Sequence, residues 1–269
     1  MAATTASKLV NDTGKRAATL IFLHGLGDTP SGWRQSFTAK YLNDPSLSHI
    51  TLVTPSAPRR YGPGYSWYHI GAPDNESKTS LNAALKMLDA LIQEQVDAGV
   101  PQDRIVLGGF SQGAGMTLAT AFTASQELEA QVQKKEWKLG GVMALAGYVP
   151  REDEFRKAIS PTLKDTPIFW GHGNVDSVVK YRVGEASIDK LHDLSPSLNV
   201  YKVKHTEGDW QADTDKRIEG GTGEAWKSEK HAWIERHEYD DMDHGPTYRW
   251  HDQAMEKHMR EWLRRVVPV

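Results

Sequence analysis

The chain has no cysteine among its 269 residues. That absence removes disulfides, thiolate zinc and iron–sulfur sites, S-palmitoylation and every mechanism with a thiol nucleophile. An excess of one charge is also missing: 32 Lys and Arg stand against 35 Asp and Glu, for a formal net charge of −3. No general basic footprint is left for nucleic acid or an anionic membrane. Long apolar runs are absent as well. The first, Ala17 to Leu23, stops at His24, far short of the roughly 20 residues of a membrane span. The N-terminus lacks the charged start, apolar core and cleavage pattern of a signal peptide, and neither end carries a lipidation motif. The sequence reads as a soluble, cytoplasmic protein with no membrane span. There is no internal repeat and no P-loop, and Gly25-Leu26-Gly27 lacks the third glycine of a dinucleotide fingerprint. Arg59-Arg60 is an isolated pair, which reads as solvated surface rather than a phosphate clamp.

What is present is an alternation of short apolar runs with longer amphipathic ones. Thr19–Leu23, Ile50–Val53, Ile105–Phe110, Val142–Ala146, Ile168–Gly171 and Ile234–Tyr239 read as buried strands. Helical spacing appears in Trp33, Phe37 and Tyr41, in Leu81, Leu85, Leu88 and Ile92, over Gln112–Ala124, in Val183–Leu194, and over Tyr248–Val266. Thr79 or Ser80 is a candidate cap for the second of these helices, and Gly99 and Pro101 end it. Tyr61–Pro73, rich in Gly, Pro and aromatics, reads as a long structured loop. The alternation predicts an α/β fold over 1–269: a mostly parallel sheet with helices on both faces. Residues 204–233 break the rhythm. They hold seven acidic residues, five Lys or Arg and three tryptophans (Trp210, Trp226, Trp233). They read as an insertion, either a solvated loop or a lid.

Gly109-Phe110-Ser111-Gln112-Gly113 matches G-x-S-x-G between a strand and a helix, where a serine sits on a sharp turn with its Oγ exposed. A nucleophilic serine needs a base, and the base an orienting carboxylate. In the strand–turn–helix setting these follow as acid, then His. Asp176, in the turn after Ile168–Gly171, is the candidate acid. His244, in the loop after Ile234–Tyr239, is the candidate base. The oxyanion donors expected are the backbone N–H groups of Gln112 and of Leu26, in the glycine turn after the first strand. His231, His237, Asp240, Asp241, Asp243 and His244 are close in sequence but lack a metal-ligand spacing, so neither a metal nor an organic cofactor is expected.

Taken in order, His24-Gly25-Leu26-Gly27-Asp28-Thr29, Pro55-Ser56-Ala57-Pro58, Ser66-Trp67-Tyr68-His69-Ile70, Arg104–Gln112, Gly171–Asp176 and Met242-Asp243-His244 resemble the acyl-protein thioesterase, lysophospholipase and carboxylesterase group of α/β-hydrolases. The resemblance covers about residues 17–194 and 234–266. It implies Ser111, Asp176 and His244 as triad and Leu26 and Gln112 as oxyanion hole. It further implies that Leu26 and the loop around Trp67 border an acyl groove, and that the substrate is an acyl ester or thioester on a lipid, a protein or a small alcohol. The sequence departs from the group in two places: residues 204–233 are additional, and Asp240, Asp241 and Asp243 crowd His244, where they would favour its imidazolium form. A short-ester hydrolase with a lid and a catalytically silent binder on the same fold stay open as alternatives. Oligomeric state is not readable.

Overall fold

The structure, a computed structural model, describes residues 7–9, 18–40, 44–71, 74–123, 136–211, 232–246 and 249–269. Among the described residues ten strands are defined: β1 (Ser7–Leu9), β2 (Ala18–Leu23), β3 (Ile50–Thr54), β4 (Arg59–Tyr61), β5 (Gly64–Ser66), β6 (Ile105–Phe110), β7 (Gly141–Leu145), β8 (Ile168–Gly173), β9 (Asn199–His205) and β10 (Trp233–Tyr239). The α-helices among them are α1 (Pro30–Lys40), α2 (Asp74–Asp97), α3 (Gln112–Phe122), α4 (Glu152–Lys157), α5 (Tyr181–Leu194) and α6 (Arg249–Val266). Eight strands form one sheet in the order β1-β3-β2-β6-β7-β8-β10-β9. All its pairs are parallel except β1 with β3. Strands β4 and β5 make a separate hairpin.

The short apolar runs are continuous because both faces of the sheet are covered. Ile21 and Leu23 of β2 point into the core shared with α2, α3 and α5, while Leu20 and Phe22 point into the core shared with α1 and α6. The same two-residue alternation separates Leu107 from Val106, Ala144 from Met143, and Trp170 from Phe169. Among the described residues no helix is long and apolar enough to cross a membrane.

The strand order places the site. After β2 the chain adds β3 on one side, and from β6 onward it builds on the other. A crevice therefore opens beyond the carboxyl ends of β2 and β6, where connections leave in opposite directions. His24–Asp28 follows β2 there, and Ser111 follows β6.

Ser7–Leu9 supply β1, an antiparallel edge strand too short to carry a pattern. Three expectations are revised. Helix α2 begins at Asp74, so Ser80 lies inside it, where its hydroxyl donates to the Ser77 carbonyl and accepts the His69 N–H. Tyr61–Pro73 contains the turn and the whole second strand of the β4–β5 hairpin, with residues 72–73 outside the described residues. Finally, β9 pairs in parallel with β10, so the chain between them has to run back along the strands; part of residues 204–233 is thus a required crossover. Trp226 lies outside the described residues, as do Tyr41 and Tyr248.

Candidate active site

Ser111 is the single residue between β6 and α3, with φ 54° and ψ −118°. A side-chain-bearing residue adopts a positive φ only under constraint from its surroundings. Here its N–H donates to the Leu145 carbonyl at 2.8 Å, and close packing does the rest. A Cβ on Gly109 would sit 2.4 Å from the Gly113 carbonyl carbon, and one on Gly113 would sit 2.3 Å from the Leu23 oxygen. Both motif glycines are therefore demanded by contact between backbones. The serine is 9 % exposed, at the surface of an otherwise buried turn.

The structure brings Ser111, His244 and Asp176 together from three separate loops. Ser111 Oγ lies 2.9 Å from His244 Nε2, and His244 Nδ1 lies 2.9 and 3.1 Å from the two oxygens of Asp176. With the imidazole neutral, Nδ1–H donates to Asp176 and Nε2 accepts from the serine hydroxyl. Asp176 is buried, and burial alone would raise its pKa. Hydrogen bonds from His172 and His244, the charge of His244 and the N–H of Val178 outweigh that and hold the carboxyl well below the usual range. The Val179 N–H donates to it as well, at 2.8 Å.

The loops carrying Asp176 and His244 are zipped together. The Asn174 side chain donates to Asp240 at 2.6 Å and accepts the Asp241 N–H at 2.9 Å. Asp243 accepts from the Ser177 N–H and hydroxyl, both at 2.7 Å, and from the His244 N–H at 2.8 Å. Asp240 also pairs with Lys204 at 2.9 Å. Asp240 and Asp243 are thus engaged in holding the loop, and the carboxylate bonded to the ring is Asp176.

The two residues expected to give the oxyanion donors follow the carboxyl ends of the adjacent strands β2 and β6. Gln112 is the first residue of α3, so its N–H has no intrahelical acceptor. Leu26 is half-buried in a turn closed by the Asp28 N–H on the Gly25 carbonyl. The β4–β5 hairpin fixes this turn: Gly27 N–H donates to the Tyr65 carbonyl at 2.8 Å, and Tyr65 N–H to the Asp28 carbonyl at 3.0 Å.

Trp67 is not where the resemblance put it. Its side chain is fully buried rather than facing a groove, and its indole N–H donates to the His24 carbonyl at 2.8 Å. It props the oxyanion turn from beneath. The Gln112 side chain has a second role that sequence reading missed: it accepts the Trp67 N–H at 2.9 Å and donates to the Tyr68 carbonyl at 2.8 Å. His24 was also missed. Its Nε2 accepts the Ala57 N–H at 3.1 Å while Nδ1 donates to the Gly25 carbonyl at 2.7 Å. Its burial holds its pKa below the ordinary value. His172, buried beside the acid, has Nε2 at 2.8 Å from the Val179 carbonyl and 3.3 Å from Asp176. It stands within the segment Gly171–Asp176, which was the one signal available for it.

The residues weighed for a metal are dispersed. His244 faces Ser111, His237 is buried in the sheet, and His231 lies outside the described residues. His237 instead meets His205 and His258 in a buried cluster. The His205 and His258 rings stack at 3.9 Å with planes 24° apart, so one ion cannot lie in both ring planes. His205 Nε2 and His237 Nδ1 face each other at 2.9 Å as a hydrogen bond.

A family model described as phospholipase/carboxylesterase matches residues 4–209, a range that includes Ser111 and Asp176 and ends before His244. The chain is 38 % identical over 183 residues to acyl-protein thioesterase 1 of Cryptococcus neoformans, covering 65 % of this chain and 72 % of the relative. It is 36 % identical over 204 residues to acyl-protein thioesterase 1 of Yarrowia lipolytica, covering 72 % and 81 %. Among solved structures, Zea mays acyl-protein thioesterase 2 superposes with a TM-score of 0.64 at 20 % identity, covering 97 % of this chain and 99 % of that one. The esterase PE8 superposes at 0.65 and 19 %, covering 96 % and 98 %.

Proposed function

Since the chain belongs to the phospholipase/carboxylesterase family of α/β-hydrolases, and is an ester or thioester hydrolase, we propose that it cleaves acyl esters or thioesters through Ser111, His244 and Asp176 and a covalent acyl-enzyme. The observation that carries this reading is the unbroken hydrogen-bond chain from Ser111 Oγ through His244 to Asp176, beginning on a turn with positive φ. The relatives named acyl-protein thioesterase support an acyl thioester as substrate.

In the proposed reaction Ser111 Oγ attacks the substrate carbonyl carbon while His244 Nε2 takes the hydroxyl proton. Asp176 stays ionised, which orients the ring and stabilises its cation. The N–H groups of Leu26 and Gln112 donate to the developing oxyanion, at about 3 kcal/mol of transition-state stabilisation per donor. The leaving alcohol or thiol takes the proton back from His244. Water, deprotonated by the same nitrogen, then releases the acid and restores Ser111.

The test is hydrolysis of p-nitrophenyl esters from two to sixteen carbons, with labelling by a serine-directed fluorophosphonate. Ser111→Ala is expected to abolish both. Asp176→Asn is expected to lower kcat by about four orders of magnitude, because the ring loses its correct tautomer. Turnover that survives Ser111→Ala would overturn the reading. A wild-type enzyme that neither labels nor turns over any ester would favour a silent binder.

A further inference from the structure

His24 follows β2 directly and begins the turn that carries Leu26. Its imidazole is 1 % exposed and is braced on both sides by backbone. Nδ1 lies 2.7 Å from the Gly25 carbonyl, and Nε2 lies 3.1 Å from the Ala57 nitrogen. A carbonyl can only accept and an amide N–H can only donate, so the two partners fix the tautomer: Nδ1 carries the proton and Nε2 is bare. The Gly25 carbonyl also accepts the Asp28 N–H at 3.3 Å, the bond that closes the Leu26 turn. The backbone of His24 meets the support of the other donor. Its carbonyl accepts the Trp67 indole N–H at 2.8 Å, and a Cβ on Gly113 would lie 2.5 Å from that same oxygen. Gly113 adjoins Gln112, whose side chain accepts the Trp67 N–H at 2.9 Å. One residue thus touches the supports of both expected oxyanion donors.

We infer that His24 is a positioning residue for the oxyanion hole that works only with Nε2 unprotonated, so that turnover needs two neutral imidazoles, His24 and His244. A protonated ring has no acceptor. Its Nε2–H would point at the Ala57 N–H, two donors in one buried gap, and the brace between Gly25 and Ala57 would open. Either the ring turns or the segment 55–58 retreats. Both pull on the Gly25 carbonyl and move the Leu26 N–H that it fixes. Oxyanion donors act through their placement, and small displacements cost large factors in rate. The groups facing the ring set when this happens. Asp28, on the same turn, favours the cation, but its oxygens are engaged by the Thr29 N–H at 2.7 Å and the Trp33 indole at 2.6 Å. Tyr65 of β5 lies 6.2 Å from the ring, with Arg60 of β4 over its face. Trp67 lies 5.2 Å away, and Ala57 before β4 and Gly113 of α3 carry no charge. Burial outweighs the pull of the Gly25 carbonyl and Asp28, which keeps His24 neutral at neutral pH.

This inference deepens the proposed hydrolase reading and rests on it, so the experiment separates the two. kcat and KM for a p-nitrophenyl ester are measured from pH 8 downward in wild type, His24→Gln and His24→Phe, with tryptophan fluorescence marking the folded range. In wild type, kcat/KM is expected to fall about tenfold per pH unit while one imidazole titrates and about a hundredfold per unit once both do. His24→Gln keeps an acceptor and a donor but does not titrate. It is expected to stay within about tenfold of wild type at pH 8 and to lose the steeper limb. His24→Phe fills the space without either bond, and its kcat is expected to drop roughly a hundredfold at every pH with KM little changed. Should one variant not fold, the imidazole ¹⁵N shifts of the wild type decide. The His24 signals, identified by their loss in the other variant, should show a protonated Nδ1 and a bare Nε2 and should titrate at the midpoint of the steeper limb. Three results overturn the inference: a limb that stays tenfold per unit down to acid unfolding, a steep limb that survives in His24→Gln, or a ring protonated at Nε2 at pH 8. In each of these, Ser111-dependent turnover at pH 8 leaves the hydrolase reading standing. Absence of Ser111-dependent turnover at any pH overturns both.

Discussion

The catalytic carboxylate sits in a socket built by other residues. Asp176 receives N–H bonds from Val178 and Val179 on one oxygen, and His172 stands 3.3 Å from the other. His172 Nε2–H is shared between that oxygen and the Val179 carbonyl, which ties the turn to the carboxylate it presents. His172→Ala is expected to lower kcat about tenfold with little change in KM. Loss of one hydrogen bond to a charged group is of that order, and the group acts only through His244. His172→Gln, which keeps an amide donor, should recover part of the loss. A KM effect equal to the kcat effect would show a general structural role instead. The triad itself was legible in the sequence. A serine between two glycines at a strand–helix junction, followed by an Asp after one strand and a His after another, leaves few alternatives when chain order is respected. His172, His24 and the Gln112 side chain were not legible, because the partners that fix them are backbone groups 7–45 residues away. Trp67 was misplaced for the same reason: an aromatic in a loop can face either the groove or the core, and only the His24 carbonyl decides which.

The β4–β5 hairpin clamps the oxyanion turn, and Gly64 makes the clamp possible. A Cβ on Gly64 would lie 2.1 Å from the Gly27 oxygen and 2.7 Å from the Asp28 oxygen. Both are backbone atoms of the turn that holds Leu26, so neither can swing aside. Gly64→Ala is expected to push the hairpin outward, costing about 1–3 kcal/mol of stability and lowering kcat/KM by at least tenfold. Thermal melts and p-nitrophenyl kinetics check both; a variant with wild-type kinetics would mean that the turn holds its shape without the hairpin. The strands of the sheet were readable because burial on both faces leaves continuous apolar runs such as Thr19–Leu23 and Ile105–Phe110. The hairpin was not: Arg59–Tyr61 and Gly64–Ser66 have three residues each, and half of them face solvent or another loop.

Over the whole molecule, buried histidines tie stability to pH. Burial holds the pKa of both His24 and His237 below the ordinary 6.5. The unfolded chain then binds protons that the folded one refuses, so these two groups favour folding in full above about 6.5 and lose that contribution as pH falls through their lowered values. The melting temperature should hold level between pH 8 and 7 and drop by several degrees by pH 5. Carboxylates held low in the fold, Asp44 and Glu154 among them, give way only later, below about pH 4. A melting temperature that rises on acidification would contradict this. The second whole-molecule consequence concerns residues 206–232. Strands β9 and β10 run parallel, with Asn199 opposite Trp233 and His205 opposite Tyr239. The connection has to return along seven residues of strand, about 20 Å. Deleting 208–230 would leave four residues, whose five Cα–Cα steps reach at most about 18 Å, so that variant is expected not to fold. Replacing 212–231 with eight Gly and Ser residues keeps the crossover long enough. At its described ends, Trp210 packs against the α6-side core and Trp233 against Tyr201 and Val203 of β9, which puts both at the sheet edge rather than over Ser111. The shortened protein is therefore expected to fold and to keep the wild-type preference across the two-to-sixteen-carbon ester series. A shift of that preference toward longer chains would make the crossover a lid over the acyl site.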